Sequence, residues 1–271
     1  MPAANQQLFT NANIVLADEV VHGCVQVTDG HIADISTGVS SSDAADLDCQ
    51  GDFLNPGLIE LHTDHLETPY SPRPGVRWEV LPSIQAHDAQ IAAAGITTVF
   101  DCLRCGRERP WEYAAGEMNK LAEAMRLAAD QNRLRVEHRL HLRCEVSASD
   151  VMDDFHLFDT APDVGLVSLM DHAPGQRQFP SLESYAAYHQ KKLKMSDKEF
   201  SDYVDVRVNG SRKYSDKHRQ LLAKLCAERG IPLASHDDAT LTHVKESILH
   251  GVSIAEFPTT LEAARESHQA G

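Results

Sequence analysis

Leu54-Asn55-Pro56-Gly57-Leu58-Ile59-Glu60-Leu61-His62-Thr63-Asp64-His65 is the stretch on which the fold turns. Pro56 and Gly57 interrupt the chain, and a short apolar run then leads into a dense polar cluster. Such a run between breakers predicts a buried strand, because a core helix needs more residues. Side chains alternate along a strand, so Glu60, His62 and Asp64 are expected on one face. An imidazole beside a carboxylate at a strand's C-terminal end can grip a divalent metal, and in a parallel α/β barrel that end carries the chemistry. From this stretch alone, a His–Asp hydrogen-bonded pair that merely caps a strand stands as the alternative.

Toward the N-terminus the pattern is short and β-like: Ile14-Val15-Leu16, Val25-Gln26-Val27 and Ile32-Ala33-Asp34-Ile35. Asp29-Gly30 between the last two is hairpin chemistry. Residues 36–48, rich in Ser, Asp and Ala, read as a polar connection. Residues 1–53 are therefore expected to form a small β appendage, and 54–271 the catalytic body.

Toward the C-terminus the rhythm becomes strand, loop, helix. A loop over Pro69–Trp78 precedes a helix from Ser83 through Ala94, stopped at Gly95. Strands are expected at Ile96–Asp101, His138–Glu145, Val164–Met170, Ile231–His236 and Val252–Phe257, with a long amphipathic helix over Tyr113–Gln131. A polar helical excursion spans Ser181–Glu228. Repeated β-then-α units predict an α/β fold with a parallel sheet, a (β/α)8 TIM-barrel-like body. About six strands are found where closure needs eight, so an incomplete barrel, a truncated product or fragment, is expected. An open sheet complete in itself is the alternative.

Several of these strands end in candidate ligands. His62 and Asp64 close the first; on the third, alternation puts Arg139, His141, Arg143 and Glu145 on one face; His172 ends the fourth; His236, followed by Asp237 and Asp238, ends the fifth. Imidazole plus carboxylate suits zinc or a similar divalent ion such as manganese or iron, and a shared carboxylate can bridge two ions. A bound ion of this kind makes a nucleophile of water at neutral pH. Strand-end hydrogen bonds to loops are the bland alternative. Arg73, Arg77, Arg104, Arg107 and Arg177 sit in loops expected over the barrel mouth, where a guanidinium suits phosphate oxygens. Lys191-Lys192 and Arg212-Lys213 read as solvated surface charges. Cys102-Leu103-Arg104-Cys105 lacks a second pair and reads as incidental, and His87-Asp88 as a surface or packing pair.

Composition narrows the partners. With 40 acidic against 25 basic residues the net charge is −15, which argues against a general nucleic-acid binder. An anionic substrate would then need bound metal and local arginines. Six scattered cysteines, behind a start with neither basic nor apolar signal character, point to reduced thiols in a cytoplasmic protein. No apolar run approaches the ~20 residues of a membrane span.

The N-terminal β segment followed by PGLIELH and AGITTVFD resembles the metal-dependent amidohydrolase superfamily. More narrowly, LHTDHLE, PRPGVRW, AHDAQIAAAGITTVFD, EHRLHLRCE, VSLMDHAPGQRQF, LASHDDAT and AEFPTT resemble the α-D-ribose 1-methylphosphonate 5-triphosphate diphosphatases of the carbon–phosphorus lyase pathway, over nearly the whole chain. The resemblance implies a distorted (β/α)8 barrel with a β-sandwich built from both chain ends. It also implies one or two divalent ions, zinc first, and hydrolysis of a phosphorylated sugar phosphonate to the 5-phosphate and diphosphate. By position, His62 is the first histidine of the superfamily's HxH and Asp64 stands at the second. Glu145 resembles a bridging carboxylate and His236 the next metal histidine. The same likeness would put a histidine near Glu256-Phe257, where this chain has none. The expected ligands are thus His62, Asp64, Glu145, His172 and His236. Asp64, Glu145 and His172 are the candidates for proton handling, and Arg73, Arg77, Arg104, Arg143 and Arg177 for phosphate. An amide-cleaving deacetylase of the same superfamily, or a catalytically incomplete assembly subunit, are the other readings. A homo-oligomer is compatible with all of them.

Overall fold

The computed structural model describes residues 5–38, 47–73, 75–107, 115–177, 179, 181–193 and 195–271. The chain divides into two compact units, Met1–Leu58 and Ile59–Gly271.

The first unit is a single five-stranded sheet. β1 (Gln6–Val15), β2 (Val20–Thr28) and β3 (His31–Thr37) run antiparallel in sequence, and the short β4 (Leu47–Asp48) and β5 (Phe53–Leu54) lie parallel to β1. The turn joining β2 to β3 holds Asp29 at φ 50° and Gly30 at φ 79°. Both signs are what a two-residue type I′ hairpin demands, and aspartate and glycine are the residues that tolerate them. Ala12, Ile14 and Val25 form a small core with Phe9, Val21 and Leu54 against it. Most of the connection at 36–48 lies outside the described residues.

The second unit is a curled parallel sheet wrapped by helices. Its strands are β6 (Leu58–Thr63), β7 (Ile96–Cys105), β8 (Glu137–Glu145), β9 (Val164–Met170), β10 (Leu233–His236) and β11 (Ile254–Glu256). They lie side by side in chain order, β6 to β11, and pairing is parallel from β7 onward. Each return passes over one face, as in a barrel wall, so the fold is an incomplete (β/α)8-type barrel. The helices are α1 (Glu67–Tyr70), α2 (Val80–Ala93), α3 (Ala115–Asp130), α4 (Val151–His156), α5 (Leu182–Leu193), α6 (Asp197–Arg229), α7 (Leu241–Leu249) and α8 (Leu261–Ala270). On α3, Met118, Leu121, Ala122, Met125 and Ala128 repeat at helical spacing and are all buried. All but Ala128 join Leu103, Leu140, Leu142, Val167 and Leu169, the helix-facing side chains of the sheet, in one core. The expected start of that helix at Tyr113 lies outside the described residues.

Two expectations change here. The excursion over Ser181–Glu228 is mainly one helix of 33 residues, α6, opened by a capping box between Ser196 and Glu199. Its inner face is polar yet buried: Arg207, Ser211, Ser215 and His218 are all under one-tenth exposed. Arg212 and Lys213 do face solvent, while the side chains of Lys191 and Lys192 lie outside the described residues. The second change concerns His87 and Asp88, both fully buried. His87 Nε2 lies 2.6 Å from Asp101 Oδ1, and His138 Nδ1 lies 2.6 Å from Asp101 Oδ2. Of the two readings of His87-Asp88, packing is the one the structure supports and surface is not: the pair is internal, fastening α2 to β7 and β8.

Candidate metal centre

Four strands of the second unit deliver side chains to one spot. Along β8, Leu140, Leu142 and Cys144 enter the helix-facing core, so strand alternation turns His141, Arg143 and Glu145 to the opposite face. β10 and β11 pair His236 directly with Glu256. Glu256 is the hub. Its Oε1 lies 3.1 Å from His62 Nδ1 and 3.8 Å from His141 Nδ1, and its Oε2 lies 3.4 Å from His236 Nδ1. The His62 ring stacks on His236 at 5.4 Å between centroids and meets His141 edge-on at 5.0 Å.

Electrostatics favour neutral His141 and His236 beside an ionised Glu256. Burial would raise the Glu256 carboxyl, but hydrogen bonds with His236 and His62 outweigh it and hold it at about 2. Burial drives His141 down to about 4 and lowers His236 as well. Neutral rings keep one nitrogen lone pair, which is what a metal ligand requires. His141 Nδ1 donates to the Leu61 carbonyl at 2.9 Å, leaving Nε2 as the lone-pair nitrogen. That Nε2 is buried with no hydrogen-bond partner.

Beside this hub lies a second group. Asp237 Oδ2, also buried without a hydrogen-bond partner, lies 3.4 Å from His236 Nε2 and 4.0 Å from His172 Nε2. Asp237 and Phe257 follow the paired His236 and Glu256, and both hold a left-handed backbone, at φ 56° and 52°. Backbone strain of this kind concentrates at functional sites. The half-exposed Phe257 ring meets His62 at 5.1 Å and His236 at 5.6 Å.

The other residues singled out in the sequence are placed differently. Asp64 lies just beyond the end of β6, its side chain 43% exposed. Arg143 Nη1 contacts both of its oxygens, at 2.6 and 2.7 Å. Burial would raise this carboxyl, but Arg143 and Arg104 outweigh it and hold it below the usual range. Asp64 thus joins Arg143, not His62, because the guanidinium occupies it. Among the described residues it enters none of the donor groups within reach of one ion. Glu145 is buried and receives Ser147, Arg207 and His172.

The proposed phosphate arginines are likewise engaged by acidic neighbours. Arg77 pairs with Glu117 and Arg104 with Glu67, both Nε to Oε1 at 3.0 Å, and Arg107 pairs with Asp150 at 2.9 Å. Arg177 departs furthest from expectation: it is buried at 4% exposure between Asp238 and Glu246, so it is an internal ion pair rather than a loop cation. Arg73 is exposed in a turn bridged to Val76. Cys102 lines the cluster, its Sγ 3.5 Å from His141 Nδ1, and burial pushes its thiol well above the ordinary range. Cys105 is core.

Glu256 and Arg207 carry no signal in the sequence as read above, and His141 and Asp237, though noted at strand ends, are not among the expected ligands. His141 was legible from its alternation with Arg143 and Glu145. Glu256 ends a strand of only three residues and stands where the family resemblance places a histidine. Arg207 shares a face with Ser211, Ser215 and His218, a polar stripe that hydrophobic periodicity does not detect.

No protein-family profile matches the chain. Over 264 residues it is 41% identical to the alpha-D-ribose 1-methylphosphonate 5-triphosphate diphosphatase of Escherichia coli, covering 97% of this chain and 70% of that protein. Among solved structures, a mutant N-acetyl-D-glucosamine-6-phosphate deacetylase from Mycobacterium smegmatis in complex with N-acetyl-D-glucosamine-6-phosphate aligns at TM-score 0.54 and 11% identity. That alignment covers 96% of this chain and 56% of the deacetylase, so the chain spans little more than half of that structure's length, and the likeness is one of fold. The extent and identity of the first match decide the assignment: the chain belongs to the alpha-D-ribose 1-methylphosphonate 5-triphosphate diphosphatase family.

Proposed function

We propose that this chain carries a metal-dependent phosphohydrolase centre that cleaves α-D-ribose 1-methylphosphonate 5-triphosphate to the 5-phosphate and diphosphate, in phosphonate breakdown by the carbon–phosphorus lyase pathway. Family membership supports the substrate class. The observation that carries the metal reading is the convergence of His62, His141 and His236 on Glu256, with His141 Nε2 buried and unpartnered. A buried polar atom without a partner costs about 1–3 kcal/mol, and ligation of an ion would offset it. Nitrogen donors with one carboxylate fit zinc, with manganese or iron as the alternatives; His62, His236 and Glu256 would hold it, with His141 and Cys102 grouped around the same His62. Six free cysteines fit the reducing cytoplasm. Among the described residues, no helix is long and apolar enough to cross a membrane.

When bound, such an ion acidifies water and draws charge from phosphoryl oxygens. The chain's own residues manage the proton and the geometry. Hydrolysis joins the water oxygen to the phosphorus on the ribose 5-oxygen and breaks that phosphorus's bond to diphosphate, which leaves with the electron pair. The water proton needs an acceptor, and Asp237 Oδ2 is a buried carboxylate oxygen with no hydrogen-bond donor on it. His172 Nε2, 4.0 Å away, is the next carrier. Arg143, fixed by Asp64, supplies positive charge at the same strand ends.

Two parallel assays on the full chain with added zinc test this reading: diphosphate release from the ribose triphosphate, and acetate release from N-acetyl amino-sugar phosphates. Diphosphate release abolished by Glu256→Gln supports it. Acetate release without diphosphate release would transfer the site to amide chemistry.

A further inference from the structure

Phe257 holds a backbone that its own side chain and its neighbour both oppose. Its φ of 52° lies in the left-handed region, where a bulky side chain crowds the main chain. Pro258 follows it and pushes it toward extended backbone. Burial does not compensate, because the residue is 55% exposed. A strained residue of this kind persists only where the surrounding structure over-determines it.

The restraint lies in the hydrogen bonds between two strand ends. β10 and β11 pair His236 with Glu256, and the next residue on each, Asp237 and Phe257, turns left-handed at the same level. The Asp237 N–H donates to the Glu256 carbonyl at 3.0 Å and the Thr259 N–H to the Asp238 carbonyl at 2.9 Å. The Thr260 hydroxyl donates to the Ala239 carbonyl at 3.0 Å. Side chains alternate along a regular strand, so an extended Phe257 would face away from Glu256. The left-handed turn brings its ring to the same side instead. There it lies 5.1 Å from the His62 ring and 5.6 Å from the His236 ring, at 80° and 86° to their planes. Those two imidazoles are themselves stacked at 5.4 Å with 20° between planes. One phenyl ring thus meets both members of the stack nearly at right angles, an arrangement that aromatic quadrupoles favour.

We propose that Phe257 is a positioning residue of the metal centre: its ring, held by the strained turn, fixes the planes of His62 and His236 before an ion arrives. Ligands set in advance lose less freedom on binding, so the ring raises affinity without touching the ion. The strain is the counterpart of that rigidity. A glycine at this position would relax the backbone and loosen the site together. The purpose of the arrangement rests on the metal reading above, whereas the arrangement itself is a property of the metal-free chain.

The test compares Phe257→Gly, Phe257→Ala and Phe257→Tyr in the full chain. Urea midpoints and histidine-ring ¹³C relaxation are read without metal, and zinc affinity by titration. The ring is half-exposed, so its removal opens no core cavity. Glycine adopts φ above zero freely, so the Phe257→Gly midpoint should stand above that of Phe257→Ala, which loses the same ring and keeps the strain. In metal-free Phe257→Gly the His62 and His236 rings should become more mobile, while His87 and His138 stay as in the wild type. Zinc should bind about tenfold more weakly to the Gly and Ala variants, the scale of one or two lost aromatic contacts. Phe257→Tyr, which keeps the ring, should restore wild-type affinity. A Phe257→Gly midpoint at or below that of Phe257→Ala overturns the inference, as does unchanged mobility of both rings or wild-type zinc affinity in Phe257→Gly. Wild-type protein that takes up no zinc sinks the metal reading alone, since strain and ring mobility are read without metal.

Discussion

The second unit holds two clusters of buried histidines and carboxylates, one on each side of the same sheet. On the helix side, Asp101 joins His87 and His138, and His138 Nε2 reaches Asp88 Oδ1 at 3.4 Å. Asp88 also receives the Arg135 backbone N–H and guanidinium, each at 2.7 Å. On the inner side, His62, His141 and His236 surround Glu256, with His172 and Asp237 beside them. Residue types and burial are nearly the same. What differs is saturation: no polar side-chain atom of the helix-side cluster is a buried orphan among the described residues, whereas His141 Nε2 and Asp237 Oδ2 are. A saturated network holds structure together, and an unsaturated one waits for a ligand.

The contrast sets opposite expectations for equivalent substitutions. Asp101→Ala leaves two buried imidazoles without their acceptor and should cost about 3–5 kcal/mol of stability, read as the urea midpoint, with zinc uptake unchanged wherever the chain stays folded. A loss under 1 kcal/mol would place Asp101 outside the structural class. Glu256→Gln should do the reverse, weakening zinc about 100-fold while moving the urea midpoint little. Equal effects on both readouts would erase the distinction.

The pH dependence of stability sharpens the comparison. Burial would lower His138, but its hydrogen bonds and ion pairs with Asp101 and Asp88 outweigh it and raise the ring above its ordinary value. Asp101 and Asp88 are lowered against the burial that would raise them, Asp101 by His138 and His87, Asp88 by Arg135, Val136 and His138. The His138 contribution is fully present below the unfolded value of about 6.5 and is lost as pH rises through the raised folded value. The aspartate contributions are present above about 3.9 and are lost as pH falls through the lowered folded values. Urea midpoints across pH should decline on both sides, and His138→Gln should remove the alkaline decline. A variant that keeps that decline would assign it elsewhere. The smallest effect belongs to the solvent face of α6: Arg212→Ala should shift stability by no more than about 0.5 kcal/mol. A larger shift there would show that this face is not free.

The sequence made the barrel legible because its strands are short apolar runs between breakers. Pro56-Gly57 opens β6, and the polar residues at strand ends stand where a parallel barrel assembles chemistry. His62, His172 and His236 were readable on that basis. Asp64 lies one residue past Thr63, where the strand ends, and Arg143 holds its carboxylate, a contact that alternation along β6 does not encode. Glu256 was overlooked because a three-residue strand gives no periodicity and the family resemblance called for a histidine there. Arg207 leaves no apolar trace, since the stretch of α6 buried around it, from Arg207 to Arg219, is built from serine, histidine and arginine, with Phe200, Leu222 and Cys226 buried only toward the helix ends. Its contribution is a long-range contact, 62 residues from Glu145, which local pattern does not encode.

The most direct test of the central claim is zinc titration of the metal-free full chain, run beside His236→Ala and Asp101→Asn. The account predicts at least one tightly bound equivalent in the wild type and in Asp101→Asn, with that equivalent lost in His236→Ala. A folded wild-type chain that takes up no zinc, or a His236→Ala variant that binds as the wild type does, would contradict it.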